Sequence, residues 1–190
     1  MERGTKATPN EFETIETHAS LIRWSKAYVR QAVETYEFDV SLNRVGWEVS
    51  TRAKRRAAAV KSPSLPDAVV GTPRTWNSDG PPTCTLSLSW RAAKSFEYEE
   101  WTATLRHELV HVEQFQAFGS TDHGRAFKRR ANEVDAPVRV RRFSEPKYVL
   151  TCTDCGETVA HRYRDCKLVR QSESYRSGCC EAPLRCVQPA

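Results

Sequence analysis

Long apolar runs are missing from these 190 residues. None approaches the roughly 20 residues that a membrane-spanning helix needs, so no membrane partner is expected. The opening MERGTKATPNEFETIETHAS has no apolar stretch between a basic start and a cleavage site. No secretory signal is expected, and the default location is the cytoplasm. Cysteine is nearly absent before residue 150, where Cys84 stands alone, and the chain has only five histidines. No low-complexity tract interrupts it. With 28% charged and 39% hydrophobic residues, what remains is a folded chain with one main domain and room for a small appendage.

The charge is uneven. Residues 1–120 hold 15 Lys and Arg against 15 Asp and Glu, whereas residues 121–190 hold 14 against 9, so the whole excess of +5 lies in the last third. A basic C-terminal third suits an anionic partner, of which nucleic acid is the commonest. Six cysteines, Cys152, Cys155, Cys166, Cys179, Cys180 and Cys186, crowd the same region. In a reduced compartment a disulfide framework is not expected, and clustered cysteines point to zinc.

Periodicity organises the rest. Leu21, Ile22, Tyr28, Val29, Ala32, Val33 and Tyr36 recur at helical spacing over about Ser20–Tyr36. RVGWEVS (Arg44–Ser50) and TCTLSLSW (Thr83–Trp90) alternate and read as strands. TRAKRRAAAVKS is a basic stretch whose structure the pattern leaves open. The five prolines and two glycines of SPSLPDAVVGTPRTWNSDGPP make it mostly loop. Trp101, Leu105, Leu109, Val112 and Phe115 form one apolar stripe on a helix from Tyr98 to Phe118, with Gly119 as its stop. Asp122 is placed to cap a further helix through HGRAFKRRANEV. APVRVRRF and KYVLTC read as short strands, and residues 1–16 as polar and frayed.

The Tyr98–Phe118 helix carries His107-Glu108-Leu109-Val110-His111, an H-E-x-x-H pattern. One helical turn brings two imidazoles to the same side, where both can ligate zinc at about 2.0–2.1 Å. Glu108 lies between them, placed to take a proton from a water that zinc acidifies to a pKa of about 7. His123, returned by the loop after Gly119 and relieved by Gly124, is the best third ligand. Glu113 is the rival, but it lies about 200° around the helix from His111. His18 and His161 read as ordinary surface histidines.

The segment LRHELVHVEQF…DHGRAFKRRANEV resembles the SprT-like metalloproteases, which include the Spartan proteases acting on DNA–protein crosslinks. In that family a His-Gly-x-x-Phe segment follows the H-E-x-x-H helix, and a zinc ribbon often comes next. The likeness spans roughly residues 20–186 and is strongest at the histidines. It implies that His107, His111 and His123 hold a zinc ion and that Glu108 is the catalytic acid and base.

In the tail, Cys152-Thr-Asp-Cys155-Gly is a good zinc knuckle. The family's second knuckle would place cysteines at residues 177 and 180, but residue 177 is Ser177. Cys152, Cys155 and Cys180 are the favoured ligands, and the fourth is open between Cys179, slightly preferred, and Cys166. Cys84 and Cys186 read as spare thiols. Arg162, Arg164, Lys167, Arg170 and Arg176 interleave with Tyr163 and Tyr175, which suits contact with a single strand. Packing in a small ribbon core is the simpler role for Tyr175.

The expectation is an α+β chain with a flexible tail over 1–17. A zincin-like domain over 18–145 would pack its H-E-x-x-H helix on a small sheet, and a zinc ribbon would fill 146–190. The function expected is a zinc metallopeptidase with one catalytic and one structural zinc, acting on protein substrates that are DNA-bound or crosslinked. Association with single-stranded or crosslinked DNA would place it at the nucleoid. The alternative of another class is a nucleic-acid-binding or transcription-associated zinc-ribbon protein whose histidine zinc is structural or weakly active. A third reading is a peptidase for small peptides, which would need no basic tail.

Overall fold

The structure, a computed structural model, describes residues 7–77, 80–143 and 145–189. The chain divides into two compact units, Met1–Phe143 and Ser144–Ala190.

The first unit begins with a short helix, α1 (Pro9–Glu13), closed by reciprocal bonds between Thr8 and Glu11. Residues 7–17, expected to fray, are instead packed: Phe12 is buried 4.9 Å from the Trp24 ring, and the Trp24 indole N–H donates to the Thr8 carbonyl. Two apolar residues, Phe12 and Ile15, in a polar stretch suffice to anchor it. Residues 1–6 lie outside the described set. Thr17 and Ser20 then cap α2 (His18–Thr35), which buries Leu21, Trp24, Tyr28, Val29 and Ala32.

Three strands form the sheet of this unit: β1 (Val45–Ser50), β2 (Ala58–Lys61) and β3 (Cys84–Ser89), in the order β1-β3-β2. β3 pairs parallel with β1 and antiparallel with β2. Because β3 is central, both its faces are covered. Leu86 and Leu88 are fully buried, while Ser87 donates to Glu48 and Ser89 accepts from the Ala92 N–H to cap α3 (Trp90–Ala93). Trp90, expected as the last strand residue, is the first of that helix. β2 arises within the basic stretch that the pattern left open, and it is an edge strand.

The long helix α4 (Tyr98–Phe118) has the expected bounds, and all five residues of its apolar stripe are fully buried. It packs against α2, β2 and α5 (Arg125–Glu133). Gly119 ends it with φ +74°; a β-carbon there would come within 3.0 Å of the Leu65 and Arg74 side chains. Gly124, and not Asp122, is the N-cap of α5. Residues 136–143, expected as a strand, are irregular. Their backbone carbonyls and side chains serve α4 instead of a ladder: Pro137 O meets His107, and Arg141 binds Glu100.

The second unit has its own antiparallel sheet of β4 (Tyr148–Cys152), β5 (Thr158–Arg162) and β6 (Leu184–Val187), ordered β5-β4-β6. Leu150, Cys152 and Leu184 are buried on it. A short helix, α6 (Lys167–Arg170), follows β5. The fold is therefore mixed α+β with small sheets. Among the described residues no helix is long and apolar enough to cross a membrane.

Candidate metal centres

His107 and His111 face the same side of α4 and are buried, 5% and 9% exposed. The loop after Gly119 brings in His123, whose Nε2 lies 3.2 Å from Nε2 of His111 and 3.3 Å from Nε2 of His107. Two ligands of a tetrahedral zinc at about 2.0–2.1 Å are separated by about 3.3 Å, so these spacings fit one ion. The hydrogen bonding points the same way. His107 Nδ1 donates to the Pro137 carbonyl at 2.7 Å. That fixes the tautomer and leaves Nε2 as a lone pair aimed at the other two rings. One Nε2–H on His123 can satisfy only one of the nitrogens it faces, whereas a cation satisfies all three. Burial lowers the pKa of His107 and takes His111 down to about 4. Both rings are thus kept neutral, the form that ligates metal.

Phe127, fully buried, supports all three rings, with centroids at 4.9 Å from His107 and 4.5 Å from both His111 and His123. A latch places His123. The Asp122 N–H donates to Gln114 on α4, the Gln114 amide returns a bond at 3.4 Å, and the Gly124 N–H donates to Asp122 at 2.9 Å. A β-carbon at Gly124 would meet Asp122 at 2.8 Å.

Glu108 is 4% exposed and lines the same cleft as the three histidines. Burial pushes its pKa up to about 8, against the Val60 backbone N–H and the Arg56 charge, which act in the opposite direction. A divalent cation in the cleft favours the carboxylate further. The cleft has a volume of about 670 Å³, and residues Ala57–Val60, from β2 and its approach, form one wall. Glu113, the rival ligand, is committed elsewhere: it binds Arg130 at 2.9 Å and accepts from the Asp39 N–H. His18 stacks edge-on against Trp90.

In the second unit the thiols of Cys152, Cys155, Cys179 and Cys180 all lie within 4.8 Å of one another. Cys155 and Cys179 are 3.5 Å apart, close to the edge of about 3.8 Å that follows from a zinc–sulfur bond of about 2.3 Å. Adjacent Cys179 and Cys180 therefore both reach the cluster, and Cys166 caps α6 outside it. Ser177 explains the rearrangement. It is buried, and its hydroxyl accepts from the Cys180 and Ala182 N–H groups and lies 3.2 Å from the Cys152 sulfur. That hydroxyl is the main reason the pKa of the Cys152 thiol falls to about 6, while contact with neighbouring thiols, Cys155 first, raises Cys180. A group of thiols can ionise together only when a cation offsets the repulsion. Tyr175, read as a ribbon-core residue, is instead exposed.

The sequence assigned no role to Pro137 or Gln114, and none to Phe127 or Ser177 beyond their places in the His-Gly-x-x-Phe segment and the altered second knuckle. Converging imidazoles beside a buried carboxylate make this a candidate metal site. A profile of the SprT-like family matches residues 18–161, about three-quarters of the chain. The chain belongs to the SprT-like family. A search of curated proteins gave no match.

Proposed function

We propose that this protein is a zinc-dependent peptidase associated with DNA, cutting proteins bound or crosslinked there. One observation carries the peptidase reading: three imidazole nitrogens at 3.2 and 3.3 Å spacings share a cleft with a buried carboxylate. His107, His111 and His123 would hold the catalytic zinc, and Cys152, Cys155, Cys179 and Cys180 a structural one in a zinc ribbon. When bound, zinc supplies Lewis-acid polarisation of the scissile carbonyl and acidifies water.

The chain's own residues do the rest. Glu108 takes the proton from the attacking water and returns it to the leaving amine. Pro137, through its carbonyl, and Phe127 keep the rings aimed. Among the described residues β2 pairs with no strand but β3, and on its other edge the Val60 N–H meets Glu108. With its approach it walls the cleft, which suits a substrate lying extended beside it through main-chain hydrogen bonds. Glu108 also speaks against a purely structural histidine zinc, which has no use for a buried carboxylate. The DNA association is supported by Arg164, Lys167 and Arg176 of the second unit, which are exposed together with Tyr175.

The test is cleavage of a DNA-bound protein by wild type and Glu108→Gln, with and without single-stranded DNA. Cleavage by wild type alone, enhanced by the DNA, is expected. Equal cleavage with and without DNA would remove the DNA-associated part, and no cleavage by either protein the peptidase part.

A further inference from the structure

The cleft around the histidines is strongly and asymmetrically charged. Arg55, Arg56, Lys128, Arg139 and Arg142 line it, drawn from three separate segments of the first unit. Among the described residues its only acidic lining side chains are Glu108 and Asp122. Glu108 is buried beside the imidazoles, and Asp122 is engaged by Gly124 and Gln114. The side chains of Arg55, Lys128 and Arg139 are exposed and have no hydrogen-bond or ion-pair partner among the described residues. Exposed like charges gathered around one opening repel each other, and an anionic occupant relieves that repulsion.

Resting on the peptidase reading, we infer that this cleft selects acidic polypeptide, with Arg55, Lys128 and Arg139 as specificity-determining residues that meet Asp or Glu side chains flanking the scissile bond. Two features favour a polypeptide over a nucleic acid. Among the described residues the cleft lining contains no Phe, Tyr or Trp, so single-stranded bases find no stacking platform. The wall that the cleft shares with β2 is the run Ala57-Ala58-Ala59-Val60. Such small side chains let a main chain lie close along β2 but form no deep apolar pocket, which leaves charge as the means of choosing a sequence. Segments of a DNA-bound protein that the phosphates repel are acidic and project away from the duplex, which makes them reachable.

The test uses the full-length Glu108→Gln protein, so that binding is read without turnover. Two fluorescent unstructured peptides share a Gly-Ala centre; one carries glutamates on both sides, the other glutamines. At low salt the glutamate peptide should bind about tenfold more tightly, the sum of a few exposed ion pairs, and the margin should shrink as salt is added. Replacing Arg55, Lys128 and Arg139 with Gln together should abolish the margin. Because all three are exposed and unpaired, this variant should fold and keep its metal, as circular dichroism and elemental analysis would show. Equal binding of the two peptides overturns the inference, as does a margin that survives the triple substitution. It is also overturned if a thymidine oligonucleotide binds more tightly than the glutamate peptide and loses as much affinity in the triple variant. Wild-type cleavage of the two peptides is scored separately. Charge-dependent binding with no cleavage by wild type would sink the peptidase reading and leave the binding preference standing.

Discussion

The Nδ1 of His107 sits 2.7 Å from the carbonyl oxygen of Pro137, thirty residues further along the chain. A segment without regular secondary structure thus sets the tautomer of a residue on the longest helix. It is itself held by the neighbour of that histidine: Arg106 donates to the Asp135 carbonyl at 2.7 Å and to the Tyr28 hydroxyl at 2.5 Å. Replacing Arg106 with Met should free the segment and lower metal affinity at the histidine site by about 10–100-fold, the usual effect of losing an outer-shell partner. Competition against a chelator measures this. Unchanged affinity would mean that the Pro137 hydrogen bond survives without Arg106.

Phe127 should prove the most sensitive apolar residue near the site. Phe127→Ala removes a fully buried ring that touches all three imidazoles. It should cost about 3–5 kcal/mol in urea unfolding. Phe127→Leu should cost less stability but still loosen metal, because a leucine offers no ring to stack on His111 or to meet His107 and His123 edge to face.

The cysteine site separates cleanly by substitution. Cys179→Ser should release the metal of the second unit, and Cys166→Ser should leave it bound, because Cys179 and not Cys166 lies in the cluster. Ser177→Ala should weaken that site without emptying it, since it leaves the Cys180 and Ala182 N–H groups without their acceptor. Elemental analysis of each variant decides between these outcomes.

Binding of single-stranded DNA should depend on the second unit through its basic side chains. Replacing Arg164, Lys167 and Arg176 with Gln should flatten the slope of log affinity against log salt by about 0.7 for each phosphate no longer neutralised, or about 2 for all three. An unchanged slope would move the DNA site elsewhere.

Much of the site could be read from spacing because it rests on helix geometry. His107, Glu108 and His111 are fixed relative to one another by one turn of α4, and the stripe from Trp101 to Phe115 tells which face is buried. The remainder depends on long-range packing that spacing does not encode. β2 is four residues long and forms only because β3 accepts it. Phe12 looked like part of a polar tail because its partners Trp24 and Trp101 lie far along the chain. Spacing left the fourth ligand open between Cys179, slightly preferred although it adjoins Cys180, and Cys166, and the turn built on Ser177 is what brings both adjacent thiols to the cluster. The group of Pro137 that meets His107 is a backbone carbonyl, which no residue type announces.

The most direct measurement pairs metal content with turnover for Glu108→Gln, using protein purified without added metal. Glutamine matches the shape of glutamate but cannot take the proton. The variant should keep the same zinc content as wild type, two ions per chain, while hydrolysis of an unstructured protein substrate falls by about 10²–10⁴-fold. Near-wild-type hydrolysis by a zinc-replete Glu108→Gln protein would contradict the assignment of Glu108 as the base.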